Sequence, residues 1–187
     1  MSPVRNFTAN YFQQYIPENN RDLVITFIIV FSRFEYALKA EGFINGDENG
    51  VTANWDTFAN SIREHFQPNR TRELQTSVKF LHQSPPRKQI KLENNQLGWS
   101  QPRNLENQPQ LHELLLSVRT IRNNLFHGAK FQEIFQENQS IDRNQLLLQY
   151  SLVVLNECLR LSPQIQQTFF AEIPIRNQFN NENDINE

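Results

Sequence analysis

Cysteine is nearly absent from this sequence. A single one, Cys158, stands among 187 residues. No intramolecular disulfide can form, and no cysteine-based zinc cluster can be assembled. That usage suits a reducing, cytoplasmic setting. Glycine is scarce too, with five residues at 42, 46, 50, 98 and 128. None belongs to a phosphate-cradling loop, and no G-x-S-x-G elbow surrounds a serine. Long apolar runs are missing. The most apolar stretch, LVITFIIVF at 23–31, has nine residues, about half of what a membrane-spanning helix needs. It lacks a preceding basic segment and a following cleavage site, so neither an anchor nor a signal peptide is expected. It reads as a buried core helix. Excess charge of one sign is lacking as well, with 18 Lys+Arg against 20 Asp+Glu and a net charge of −2. Any nucleic-acid site must therefore be a local patch. His65, His82 and His112 have no metal-ligand spacing and no Cys or acidic partner to complete a set. Neither a metal nor a cofactor is expected.

What is abundant is phenylalanine, with 15 residues, in a chain long enough for one real core. No proline falls between Glu18 and Gln67, or between Gln110 and Ser162, and these blocks should hold the helices. Val24, Phe27, Phe31, Phe34 and Leu38 recur at helical spacing over 20–40, with Gly42 as a stop. NGDENG at 45–50 reads as a loop. Trp55, Phe58, Ala59, Ile62 and Phe66 mark a second helix, and Leu74, Val78 and Leu81 a short third one over 71–82. Residues 84–110 read as a small hairpin or only loop. A helix over 110–127 carries Leu111, Leu114, Leu115, Val118, Ile121, Leu125 and Phe126 as its apolar stripe. The longest helix spans 141–161, with Asp142 as candidate N-cap and Pro163 as stop. The expected architecture is an all-α helical bundle over 1–171. A mid-chain insertion at about 45–108 and a loosely held tail at 172–187 complete it.

The stretch TIRNNLFHGAKF at 120–131 breaks the pattern. With Val118 at zero and about 100° per residue, Arg122 falls at about 40°, inside the apolar arc. A permanent charge there needs a partner. Helix 20–40 offers Glu35, which lies at about 40° from Phe31 on the apolar arc of its own helix. The two are expected to pair. Arg119, Asn123 and His127 fall on the face away from the core, and Gly128 is a candidate C′ residue that would place His127 at the negative helix end.

Arg122-Asn123-Asn124-Leu125-Phe126-His127 reads R-N-x3-H, and in this the chain resembles the HEPN superfamily, whose R-x4–6-H motif lies toward the end of a helix in an α-helical bundle. FSRFEYALK at 31–39 is similar to the first long helix of that family. The resemblance covers 20–40, 110–128 and 141–161. It implies a HEPN-like bundle and a metal-independent endoribonuclease, commonly dimeric and found in toxin–antitoxin or anti-phage systems. It implies Arg122 and His127 as the catalytic pair, with Asn123 helping to orient them; Glu35, from its place on the wheel, and Arg119, on the outer face, are the supporting candidates. The partners it implies are RNA, a second copy of the chain, and an antitoxin or other neutralising protein. Members modified by a nucleotidyltransferase carry R-x4-H-x-Y. Here Ala129 stands at the tyrosine position, so that control is not expected.

The residue types suit the chemistry. RNA supplies its own 2′-OH nucleophile. Histidine titrates near neutrality and can take or give the proton, and arginine presents a planar charged fork to phosphate oxygens. One chain offers one motif histidine, and a two-fold dimer would supply two. The only local basic excess lies at 60–91. It comprises Arg63, Arg70, Arg72, Lys79, Arg87, Lys88 and Lys91 against Glu64 and Glu73, a candidate track for an RNA backbone. Trp55, His65 and Trp99 are candidates to stack bases. Two other readings compete. One is a non-catalytic HEPN-type module that binds a nucleotide or a protein, and the other a helical interaction protein in which the motif is accidental.

Overall fold

The computed structural model describes residues 4–6, 18–93, 95–101, 110–126 and 138–171. His127, Gly128, Ala129 and the tail from 172 lie outside them, so the expectations placed on those residues are neither met nor overturned here. The protein is mostly helical, with two small two-stranded sheets.

Helix α1 spans Glu18–Ala40. Val24, Phe27, Phe31, Phe34, Ala37 and Leu38 are its buried side, at the spacing that aligns residues along one helical face. It ends as the sequence predicts. Gly42 takes φ +85°, the Phe43 N–H donates to the Leu38 carbonyl at 2.9 Å, and the Gly42 N–H to that of Lys39 at 3.2 Å. This is a Schellman cap, and it needs a residue that tolerates positive φ.

The NGDENG stretch is not a loop but most of a hairpin. Strands β1 (Ile44–Asp47) and β2 (Gly50–Ala53) pair antiparallel, with Ile44 opposite Ala53 and Asp47 opposite Gly50. The Asp47 carboxylate accepts from the Asn49 N–H at 2.8 Å and fixes the turn. Its strand residues are almost all exposed, so no buried alternation marked it in the sequence.

Helix α2 (Trp55–Ile62) is capped by Asn54, whose side chain accepts from the Thr57 N–H, and runs into a 3-10 turn at Arg63–His65. Helix α3 (Arg72–Gln83) is capped in the same way by Thr71. A second hairpin follows, β3 (Gln89–Lys91) with β4 (Leu97–Trp99). Then come α4 (Gln110–Phe126) and α5 (Asn138–Leu161). Helix α5 starts four residues before Asp142, which is therefore not its N-cap. Pro163 stops α5 but also opens a further helix, α6 (Pro163–Phe170), at whose first turn a missing N–H costs nothing. The Arg33 guanidinium satisfies the last carbonyls of α6, donating to Thr168, Phe169 and Ala171.

Helix α5 runs through the middle, packing on α1, α3 and α4, while α6 packs on α1 and α2 on α4. The block 45–108 is not an appendage. Trp55, Phe58, Ala59 and Ile62 of α2 and Leu74, Val78 and Leu81 of α3 join the same core as α1 and α5. Trp55 stacks on Phe31 and Phe34, each ring centroid 5.3 Å away. It is buried and so cannot stack a base, contrary to the sequence expectation.

One charge is buried at the centre of the bundle. Glu157 of α5 is 2 % exposed. Arg70 grips it with two nitrogens, at 2.6 and 3.0 Å, and Arg160 closes at 2.8 Å. Burial raises its pKa, but the hydrogen bonds from Arg160 and Arg70 outweigh that and hold it below the usual carboxylate range. Arg70, one of the residues of the expected RNA track, thus has a structural task. Burial, and then the neighbouring Glu157 charge, push the Cys158 thiol well up, so it sits in the core as an inert apolar group. Replacing both arginines (R70A with R160A) strands the buried carboxylate and is expected to cost about 3–5 kcal/mol. Urea unfolding of the double variant against E157Q measures it, since E157Q removes the buried charge and should cost less.

Candidate functional site

Arg122 lies where α4 meets α1. Its Nη2 stands 3.9 Å from Oε2 of Glu35, the pairing that the two helical wheels predict. The contact is ionic and too long for a hydrogen bond. Glu35 is itself fixed, since the Trp55 indole donates to its Oε1 at 3.2 Å. The guanidinium lies over the Phe126 ring at 4.8 Å and the Phe31 ring at 5.5 Å. Both partners of the ion pair are partly open to water, at 36 % and 30 %. The pair therefore contributes about 1 kcal/mol at most, far below a buried one. Phe126 is 53 % exposed. The sequence placed it in the core, yet its position at the edge of the apolar arc leaves it as a platform for Arg122.

The Nη1 of Arg122 donates to Oδ1 of Asn123 at 3.0 Å. Its Nε is buried without a hydrogen-bond partner. A guanidinium has five N–H donors, and among the described residues it makes one short hydrogen bond. Position is fixed by packing and by Glu35, while among the described residues most of the hydrogen-bonding capacity is unused.

Helix α4 is buried on two sides. Besides the apolar stripe, Glu113, Ser117, Thr120 and Asn124 are buried in a second row. Thr120 turns its hydroxyl back to the Leu116 carbonyl. Asn124 reaches out and donates to the Arg87 carbonyl at 2.9 Å, which ties the segment after α3 to the motif helix. The Arg143 guanidinium holds the same segment through the carbonyls of Ser84 and Pro85.

This tie builds a cleft of about 470 Å³. Lys88 and Gln89 line one side, and Arg119, Thr120, Asn123 and Asn124 the other. The face of α4 that the wheel turned away from the core is thus one wall of a cleft whose opposite wall is the chain's own hairpin. The structure brings together Glu35, Arg122 and Asn123, and beside them Arg119 and Lys88. It does not gather the rest of the basic track. Arg63, Arg72 and Lys79 are exposed on the 3-10 turn and α3, outside the cleft lining, and Arg87 directs its Nε to the Ser100 carbonyl at 2.8 Å. Among the described residues no group of three or more His, Cys, Asp or Glu is placed to hold a metal ion, and no helix is long and apolar enough to cross a membrane.

Glu113 was not singled out by its sequence position. It is 3 % exposed, with His82 Nδ1 3.6 Å from its Oε2 and no hydrogen-bond partner for its Oε1. Burial raises its pKa, and the nearby His82 charge offsets this only in part. A folded-state pKa above the unfolded one means the fold binds the extra proton. The stability from the neutral carboxyl is complete at low pH and is lost as pH rises through the raised value. Glu113→Gln mimics the protonated form. Its melting temperature is expected to match wild type at pH 4 and to exceed it at pH 8, by about 2–4 °C for each kcal/mol relieved. A difference that does not vary with pH would contradict this assignment.

Compared with known proteins, the chain matches no family model, no curated protein sequence and no solved structure.

Proposed function

We propose that this protein is a metal-independent endoribonuclease of HEPN type, with a HEPN-like bundle as its frame. It would cleave RNA by attack of the 2′-OH on the adjacent phosphate. The observation that carries the reading is the state of Arg122: a permanent charge fixed in place by Glu35, Phe31 and Phe126, with most of its donors unengaged among the described residues. Such a group is suited to the charge that develops on a phosphorane, because it needs no reorganisation when that charge appears. Asn123 fixes the orientation of its fork.

His127 completes the motif as the proton-transfer group. A homodimer that joins the motif faces of two chains would supply both a base and an acid, since each chain has one motif histidine. An RNA-cleaving protein of this kind fits a toxin–antitoxin or anti-phage role, with a neutralising partner to restrain it.

The test is single-turnover cleavage of labelled RNA by the wild type and two variants. His127→Ala is expected to lower the rate by about 10²–10⁴ with RNA affinity nearly unchanged. Arg122→Lys keeps the charge but loses the planar fork, and the rate should also fall. DNA of the same sequence, lacking the 2′-OH, should stay intact. Wild-type rates in His127→Ala, or equal cutting of DNA, would overturn the proposal. A wild type that cuts no RNA would favour the non-catalytic module.

A further inference from the structure

We infer that the cleft between the Lys88–Gln89 segment and α4 is a subsite for one nucleotide of a single-stranded RNA, with its phosphate between Lys88 and Arg119 and its base edge on the Gln89 amide. That the occupant belongs to an RNA strand rests on the ribonuclease reading. The anion-and-base chemistry of the cleft does not.

The two cations are the first argument. Lys88 and Arg119 line the cleft, and among the described residues no carboxylate pairs with either. Nearby positive charges are engaged elsewhere and only add to the field. Arg143 is locked on the carbonyls of Ser84 and Pro85, and its pKa is lowered by burial and then by the Arg87 charge. Among the described residues no acidic side chain lines the cleft. A concave, cationic, carboxylate-free surface concentrates anions.

Size and lining decide which anion. A free phosphate would leave most of 470 Å³ unfilled, a volume that belongs to the range of small organic ligands. The amides of Gln89 and Asn123 offer donors and acceptors of the kind that read base edges. A duplex does not enter a cleft of this size, but a splayed single strand can place one nucleotide in it. Asn123 joins the two halves of the site. It lines the cleft and accepts from the Arg122 fork, so a nucleotide bound here sets its neighbouring phosphate toward Arg122. Asn124 is a positioning residue, holding the Lys88 wall through the Arg87 carbonyl.

The test uses the full chain and fluorescein-labelled 2′-O-methyl RNA, which binds but cannot be cut, with anisotropy read across a salt series. K88A and R119A are each expected to weaken binding about tenfold and to reduce the slope of log K against log[salt] by about 1. Q89A should change the ranking among the four homopolymers and leave the slope unchanged. K39A, a lysine of α1 outside the cleft, should bind as wild type. The inference is overturned if K88A and R119A keep the wild-type slope, if the wild type does not bind the probe, or if a free nucleoside monophosphate binds while the probe does not. A wild type that binds as expected but never cuts unmodified RNA sinks the catalytic reading alone. One that cuts RNA while K88A and R119A bind normally sinks the subsite alone.

Discussion

Arg122 places a guanidinium charge at the seam where α1 and α4 meet, and the local structure is organised around holding it. Phe31 and Phe126 cover the faces of its guanidinium, Glu35 balances its charge, and Trp55 fixes Glu35. Trp55 is itself clamped between Phe31 and Phe34 at the heart of the core. A chain of contacts therefore runs from the best-packed part of the bundle to a half-exposed cation. Each link is modest, with an ion pair of this exposure contributing about 1 kcal/mol or less. Their joint effect is positional: the fork has a defined direction before any ligand arrives, which is what stabilising a transition-state charge requires.

The same helix solves a second problem on its other side. A helix buried on two faces needs a second layer of contacts, and α4 obtains it with small and polar residues rather than apolar ones. Ser117 and Thr120 are buried, Asn124 binds a backbone carbonyl, and Glu113 sits close to His82. Through Asn124 the segment after α3 is tied to the motif helix, and the cleft lies between them. Asn124 on the Arg87 carbonyl and Arg143 on the carbonyls of Ser84 and Pro85 together hold the Lys88–Gln89 wall.

The helices were legible in the sequence because their signals are local. Phe27, Phe31 and Phe34 repeat at helical spacing, Gly42 provides the positive φ of the cap, and the wheels brought Glu35 and Arg122 to facing positions. What failed did so for physical reasons. The β1–β2 hairpin buries almost nothing, so no alternation marks it. Pro163 can end one helix and begin the next, and the two roles look alike in a sequence. Trp55 and Arg70 carry residue types common at RNA surfaces, but long-range packing on Phe34 and long-range pairing with Glu157 gave them structural work. No local signal marks Glu113, Ser117, Thr120 and Asn124 as a buried row, because the partners of Glu113 and Asn124, His82 and the Arg87 carbonyl, are distant in sequence.

The central claim is that Arg122 and its motif partner turn RNA's own 2′-OH against the neighbouring phosphate. The most direct measurement is the chemical nature of the ends produced when the purified protein meets single-stranded RNA in excess EDTA. The account predicts fragments ending in a 2′,3′-cyclic phosphate with 5′-hydroxyl partners, formed at the same rate with and without the chelator. Fragments with 5′-phosphate and 3′-hydroxyl ends, or cleavage that stops when divalent ions are removed, would contradict it.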